Sequence, residues 1–224
     1  ERHLLGGDCL NVGCVPSKAL IRAARVAHTV READEFGVHA SIDGGVMFGE
    51  VMQRMRRLRA GISHHDSAQR FTDAGVDVFL GQATFTGRNT LEVNGQELQF
   101  AKAVICTGAR AARLPVDGFD EVGYLTNETL FSLTELPKSL IVIGSGPIGS
   151  EMAQSFRRFG ADVHIIDMAD RIMPRAEPEA AAVVQAQFES EGIHLHLNSK
   201  IVRAEKIDGG KRVVVQRDDE EHNI

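Results

Sequence analysis

Apolar positions recur at helical spacing over residues 15–31, where Leu20, Ile21, Ala24, Val26, Ala27 and Val30 make a band suited to a buried helix. The same spacing returns over 48–74 through Val51, Met55, Leu58 and Ile62, predicting a second, longer helix. Short apolar runs at 76–80 and 103–108 then read as strands, the latter buried and ending in Thr107-Gly108. Between them, residues 90–93 and 97–100 flank Asn94-Gly95, the signature of a tight hairpin. Pro115 to Phe119 mark the exit from this first unit, and 120–138 read as a connector. The second half repeats strand and helix in alternation. It has a strand at 140–143, a helix at 150–159, a strand at 162–166, an alanine-rich helix introduced by Pro174 and Pro178, and a strand at 193–197. Further strands surround Asp208-Gly209-Gly210, and an acidic run follows the last of them with no closing element. Alternation of this kind predicts an α/β fold with parallel sheet.

Composition narrows the partners more than the fold. At 224 residues, 43% hydrophobic and 25% charged, the chain is an ordinary globular one with room for one large or two modest domains. A net charge of −6 argues against nucleic acid and anionic membranes as partners. No apolar run approaches the length of a membrane span. The sequence begins at Glu1 without a methionine, so it is uninformative about any leader. Three cysteines in a chain of this size, two of them close together, fit the reducing cytoplasm.

One motif identifies a ligand class by itself. The strand at 140–143 runs into Gly144-Ser145-Gly146-Pro147-Ile148-Gly149, a helix follows, and Asp167 stands at the end of the next strand. A bare G-x-G-x-x-G is weak evidence, but strand, loop, helix and distal acid together form a dinucleotide-binding fingerprint. Gly144 allows the tight turn, Gly146 admits a pyrophosphate to the helix N-terminus, and Gly149 lets helix and strand pack closely. Asp167 in this place suits the ribose 2′-hydroxyl of NADH and repels the 2′-phosphate of NADPH. Arg171, four residues on, offsets part of that repulsion.

The other chemical feature is Gly6-Gly7-Asp8-Cys9-Leu10-Asn11-Val12-Gly13-Cys14-Val15-Pro16-Ser17-Lys18. On a regular helix, Cys9 and Cys14 would point about 140° apart, so bringing them together needs a distorted turn, and Gly13 permits one. Loop closure over so few residues gains little stability. Pro16 suits the first turn of a helix, which puts Cys14 at or just before its N-terminus, where unpaired N–H groups favour a thiolate. The pair reads as a redox-active dithiol, with two buried cysteines or half of a zinc site as the alternatives. Zinc would need two further ligands, and no second cysteine pair exists. His64 and His65 are adjacent and point apart on a helix, so no residue is assigned to a metal.

This thirteen-residue run closely resembles the active-site motif of the FAD-dependent pyridine nucleotide-disulfide oxidoreductases, which include dihydrolipoamide dehydrogenase, glutathione reductase and mercuric reductase. The resemblance extends to about Glu205, and residues 65–71 are more weakly similar to the mercuric-reductase-like members. It implies two Rossmann-like dinucleotide-binding domains of three layers, both incomplete: an FAD-binding domain over 1–119 and an NAD(P)-binding domain over 120–224. The FAD glycine loop, a later flavin-contacting segment and a dimerisation domain are expected to lie outside this sequence, and the intact protein is expected to be a homodimer. The resemblance assigns Glu1 to the adenosine ribose, Ala83 and its neighbours to the adenine, and Gly7, Asp8, Thr107 and Gly108 to the flavin's diphosphate side. Asp8 stands where the family has threonine, an unfavourable place for a carboxylate unless it hydrogen-bonds elsewhere.

The implied chemistry passes electrons from NAD(P)H through FAD to a Cys9–Cys14 disulfide, with Cys14 nearer the flavin and Cys9 the interchange thiol. Lys18 lies against the flavin and pairs with Glu151. Mercuric ion is the expected substrate, and lipoamide is the alternative. A non-catalytic dinucleotide-binding fragment is the reading of another class. Arg54, Arg56, Arg57 and Arg59 are expected to form a solvated helix face, His194 and His196 to face solvent, and Cys106 to be a small core residue.

Overall fold

The computed structural model describes residues 1–224. A short helix α1 (Gly7–Val12) leads into α2 (Cys14–Arg31) through Gly13, whose φ of −134° and ψ of −114° belong to neither helix. A Cβ at Gly13 would sit 2.8 Å from the Asp8 carbonyl oxygen, so only glycine allows the two helices to meet this closely. Helix α2 buries Leu20, Ala24 and Ala27 and leaves Val26 exposed. A 3₁₀ turn over Ala33–Phe36 and Gly37 in the left-handed region close this unit.

The long helix expected over 48–74 is two helices. Helix α3 (Phe48–Ser63) ends in a 3₁₀ turn at His64–Asp66, and Ser67 then takes an extended backbone. Its hydroxyl accepts a hydrogen bond from the Arg70 N–H at 3.2 Å and caps α4 (Ala68–Asp73). A serine that satisfies a free N–H in this way starts a new helix rather than continuing the old one. Met52 and Met55 form the buried face of α3, while Leu58 and Ile62 remain exposed.

The hairpin forms as expected. Strands β1 (Ala83–Phe85), β2 (Thr90–Val93) and β3 (Gln96–Gln99) make an antiparallel sheet in that order. Asn94 and Gly95 both have positive φ, 52° and 80°, as a two-residue primed turn requires. The strands expected at 76–80 and 103–108 do not form. Residues 101–110 form neither strand nor helix and are exposed, Val104 at 86% and Ile105 at 70%, and Cys106 is exposed rather than in a core. A parallel strand needs hydrogen-bonding neighbours, and no strand of the chain lies beside this one.

After the short helices α5 (Phe119–Val122) and α6 (Asn127–Leu130), the second half builds its own parallel sheet. Strand β4 (Ser139–Ile143), helix α7 (Pro147–Phe159), strand β5 (Asp162–Ile166), helix α8 (Pro178–Ser190) and strand β6 (His194–His196) give the order β4-β5-β6. Helix α7 starts three residues earlier than expected because Pro147 occupies its first position, where no N–H is needed. Val163 and Ile165 of β5 face Phe156 of α7 and Phe188 of α8. Leu20 of α2 and Met52 and Met55 of α3 belong to the same core, so one apolar interior spans both halves. The opposite sheet face carries Ile166, packed on Val213 and Val215 of an antiparallel sheet β7 (Lys200–Ile207), β8 (Gly210–Arg217) and β9 (Glu220–Asn223). The acidic run is not a loose end: Asp218 and Asp219 form the β8–β9 turn at φ 51° and 63°.

Candidate active site

Cys14 is the first residue of α2 and Cys9 lies in α1, with the bend at Gly13 folding one thiol onto the other. Both are free and exposed. The hydrogen bond to Cys14, and after it burial and the neighbouring charge, push the Cys9 thiol above its ordinary value. Cys9 therefore keeps its proton to higher pH, with Cys14 as its partner. The bend is anchored by Arg59, expected as part of a solvated face, whose guanidinium donates to the Asn11 carbonyl at 3.0 Å. Arg54 likewise donates to the Ala19 carbonyl, and Arg56 to those of Ser132 and Leu133. Long cationic side chains can satisfy carbonyls and cover apolar surface at once, so helical charge periodicity found the surface face, on which Arg54 and Arg57 are exposed, but not the carbonyls that Arg54, Arg56 and Arg59 hold.

One turn into α2, Lys18 Nζ lies 2.6 Å from Glu151 Oε1 on α7. This ion pair links the dithiol helix to the helix that rises from the glycine loop. Between α2 and α3, a cleft of about 400 Å³ is lined by Cys14, Lys18, Arg22, Arg54, Leu58 and Ile62. The two apolar side chains that α3 leaves exposed are therefore a wall of the cleft onto which Cys14 opens.

Glu1 sits beside residues 79–81. Its N–H₃⁺ donates to the Phe79 carbonyl at 3.2 Å and its carbonyl accepts from Gly81 N–H at 2.7 Å, the bonding pattern of a parallel pair. Its carboxylate accepts from the His3 and Arg2 N–H groups, and the His3 bond first of all holds it below the usual range. Ala83 begins β1 two residues beyond this contact. Gly7 has φ +57° and open space around it. Asp8 Oδ2 accepts from the Ala109 N–H at 2.9 Å, which brings Asp8 against Gly108 while Thr107 beside it is exposed.

In the second half the glycine loop has the shape expected. Gly144 has φ +91°, Gly146 faces open space, and a Cβ on Gly149 would overlap the Gly144 carbonyl oxygen. Asp167 turns toward this loop: Oδ2 accepts from the Ser145 N–H at 2.6 Å and hydroxyl at 2.5 Å, and Oδ1 from the Ala169 N–H at 2.9 Å. Burial raises its pKa, but these hydrogen bonds outweigh burial and hold it below the usual carboxylate range. Ser145, fully buried, is a site residue that motif reading passed over. Its place between the first two glycines was the available signal. Arg171 hydrogen-bonds the Pro174 carbonyl and lies 3.8 Å from Asp170.

Residues 2–223 match the family model described as pyridine nucleotide-disulphide oxidoreductase. A mercuric reductase of Bacillus cereus is 33% identical over 216 residues, which cover 96% of this chain and 34% of that protein. A dihydrolipoyl dehydrogenase of Bacillus subtilis is also 33% identical, covering 92% of this chain and 46% of its own length. The chain belongs to the pyridine nucleotide-disulphide oxidoreductase family. Its similarity to solved members spans the whole chain. A Cu(II) complex of the HOCl-induced flavoprotein disulfide reductase RclA from Escherichia coli superposes with a TM-score of 0.81 at 26% identity. LpdA from Mycobacterium tuberculosis superposes at 0.85 and 24%, which speaks for the fold alone. The chain spans between about a third and a half of the length of these family members. No helix is long and apolar enough to cross a membrane.

Proposed function

We propose that the chain is the part of a flavoprotein disulfide oxidoreductase that holds FAD, NAD(P)H and the redox dithiol, with mercuric ion as substrate of the intact protein. One observation carries the reading: Cys9 and Cys14 meet at the N-terminus of α2, and the same helix is tied through Lys18 to Glu151 on the helix of the glycine loop. The dithiol helix and the helix of the glycine loop are thereby joined by one ion pair.

The residues present fit both cofactors with one exception. The Gly144–Gly149 loop and the free N–H groups of the first turn of α7 suit a pyrophosphate. Glu1, beside residues 79–81, has acceptor capacity left for ribose hydroxyls. Asp8 is the exception, since its single donor, the Ala109 N–H, leaves a carboxylate beside the turn that would face the flavin diphosphate. The chemistry that FAD would supply here is two-electron transfer from the nicotinamide to the cysteine pair. Lys18, held by Glu151, places a cation at the mouth of the Cys14 cleft. Reduction of a Cys9–Cys14 disulfide takes up two electrons and two protons, and the neighbouring Cys14 thiol, followed by burial, pushes the Cys9 thiol above its ordinary value. Asp167 has one of about four acceptor positions remaining for a ribose 2′-hydroxyl, which supports NADH over NADPH. A soluble homodimer in the reducing cytoplasm completes the proposal.

The second reading is dihydrolipoamide oxidation, favoured by dihydrolipoyl dehydrogenases as similar to this chain as the mercuric reductases are. The test is NADH oxidation by the full-length protein with mercuric ion or lipoamide as acceptor. Mercuric-ion-dependent turnover that Cys14→Ser abolishes supports the main reading, and lipoamide-dependent turnover alone supports the second. A full-length protein that binds neither flavin nor NADH sinks both. Asp8→Thr is expected to slow loss of flavin during dialysis, read by absorbance of the retained chromophore.

A further inference from the structure

Four side chains outside the dithiol and the glycine loop gather on the exposed part of the sheet face opposite α7. Asp162 and His164 are two residues apart on β5, and His194 and His196 are two apart on β6. A spacing of two puts each pair on one face, and the register joins the strands with His164 opposite His194. Asp162 lies 3.4 Å from His164 Nε2 through Oδ2 and 3.3 Å from His194 Nε2 through Oδ1. The His164 and His194 rings stack with centroids 4.6 Å apart, and one donor atom from each of the three residues falls within 4.8 Å of the others.

These separations are long for charge-assisted hydrogen bonds, which run about 2.7–2.9 Å. Metal–nitrogen and metal–oxygen bonds of about 2.0–2.1 Å at tetrahedral angles place neighbouring donor atoms about 3.3–3.4 Å apart. Each imidazole stands at that separation from one oxygen of the Asp162 carboxylate, His164 from Oδ2 and His194 from Oδ1, and with one oxygen taken as the ligand the three donor atoms stay within 4.8 Å of one another. His196 completes the arrangement. Its Nε2 lies 3.0 Å from His164 Nδ1, so when His164 carries its proton on Nδ1, His196 accepts it and His164 Nε2 is left as a lone pair facing Asp162 and His194. An acceptor behind a ligating histidine is the usual device for fixing its tautomer and ring orientation.

We propose that Asp162, His164 and His194 form a site for a divalent transition-metal ion such as zinc or copper, with His196 orienting His164. Two imidazoles and a carboxylate suit a borderline metal rather than calcium or magnesium, and three protein ligands leave a position for water. The site lies at the start of β5, whereas Asp167 follows its end. Along the strand, His164 stands three residues and Asp162 five residues before Asp167, about 10 and 16 Å. It joins two adjacent strands, so a bound ion would clamp β5 to β6. This inference does not depend on the redox reading, because none of its ligands belongs to the dithiol or the glycine loop.

The experiment uses the 224-residue chain with Cys9, Cys14 and Cys106 changed to serine, so that thiols do not compete for the metal. Calorimetric titration with zinc chloride is expected to show one ion per chain, with affinity falling about tenfold or more in Asp162→Asn and in His194→Gln. His39→Gln, distant on an exposed loop, should leave it unchanged. With one equivalent of copper(II), paramagnetic resonance is expected to show coupling to two imidazole nitrogens, reduced in His194→Gln. His194 and Asp162 are exposed, so circular dichroism should confirm that their variants fold. The site is overturned if zinc affinity changes less than twofold in both variants, or if His39→Gln weakens binding as much as they do.

Discussion

Residues 103–108 and 162–166 both read from the sequence as strands of a nucleotide-binding unit, the first a short apolar run and the second with Asp162 and His164 alternating with apolar positions. Only the second becomes one. Strand β5 has β4 on one side and β6 on the other, in unbroken parallel register from Ser139↔Asp162 to Ile143↔Ile166. The earlier run has no strand beside it, and its apolar side chains stay in solvent. Near 76–80 the same limitation is half relieved, because Glu1 supplies two bonds of parallel type to Phe79 and Gly81. Pairing partners distant along the chain, rather than apolar content, decide whether such a run is a strand.

The comparison predicts where stability resides. The largest expected effect is at Glu191, just after α8. It accepts two bonds from Arg158 at 2.6 and 2.8 Å and further bonds from Gln154 and Gln187, with both charged groups nearly buried. Glu191→Ala strands Arg158 and should cost about 3–5 kcal/mol in denaturant unfolding. Burial alone raises the Glu191 pKa, but the bonds from Arg158 and the two glutamines outweigh it and set the folded value below 4.5. A depressed carboxyl contributes stability above its unfolded value and loses it as the pH falls through the folded one. Wild-type stability should therefore drop with acid below about pH 4.5, and the drop should be shallower in Glu191→Ala. An equal slope in both would separate this cluster from the acid transition.

Next in size is Ile165→Ala. Ile165 is fully buried in the core shared by α2, α7 and β5, and the truncation should cost about 2–5 kcal/mol. Lys18→Met comes lower. The Lys18–Glu151 pair joins the two halves, but its side chains are 60% and 36% exposed, so its loss should change stability by only about 0–1 kcal/mol. A loss several times larger would mean that the halves are held together by this contact rather than by the apolar core.

Legibility in the sequence followed the same division. The glycine loop was readable because its strand, turn, helix and acid are consecutive, and the cysteine bend because Gly13 and Pro16 are local signals. The Lys18–Glu151 contact was readable only through resemblance, since 133 residues separate the partners. The break at Ser67 was missed because the periodicity of 48–74 outweighed one capping serine. The cluster at Asp162, His164 and His194 was invisible for another reason: its geometry exists only once β5 and β6 pair with His164 opposite His194. Periodicity along one strand reports a face, but which residues share it across strands is a property of register.

The smallest expected effect is the sharpest test. Ile105→Ala removes the same side-chain atoms as Ile165→Ala, from another run that the sequence reads as a strand. Ile105 is 70% exposed and its segment has no strand partners, so in the 224-residue chain the change should stay within about 0.5 kcal/mol. The measurement is the difference between the two isoleucine variants in urea unfolding of the same chain. If Ile105→Ala costs as much as Ile165→Ala, the apolar run at 103–108 is packed in solution, and the absence of a neighbouring strand is not what separates the two regions.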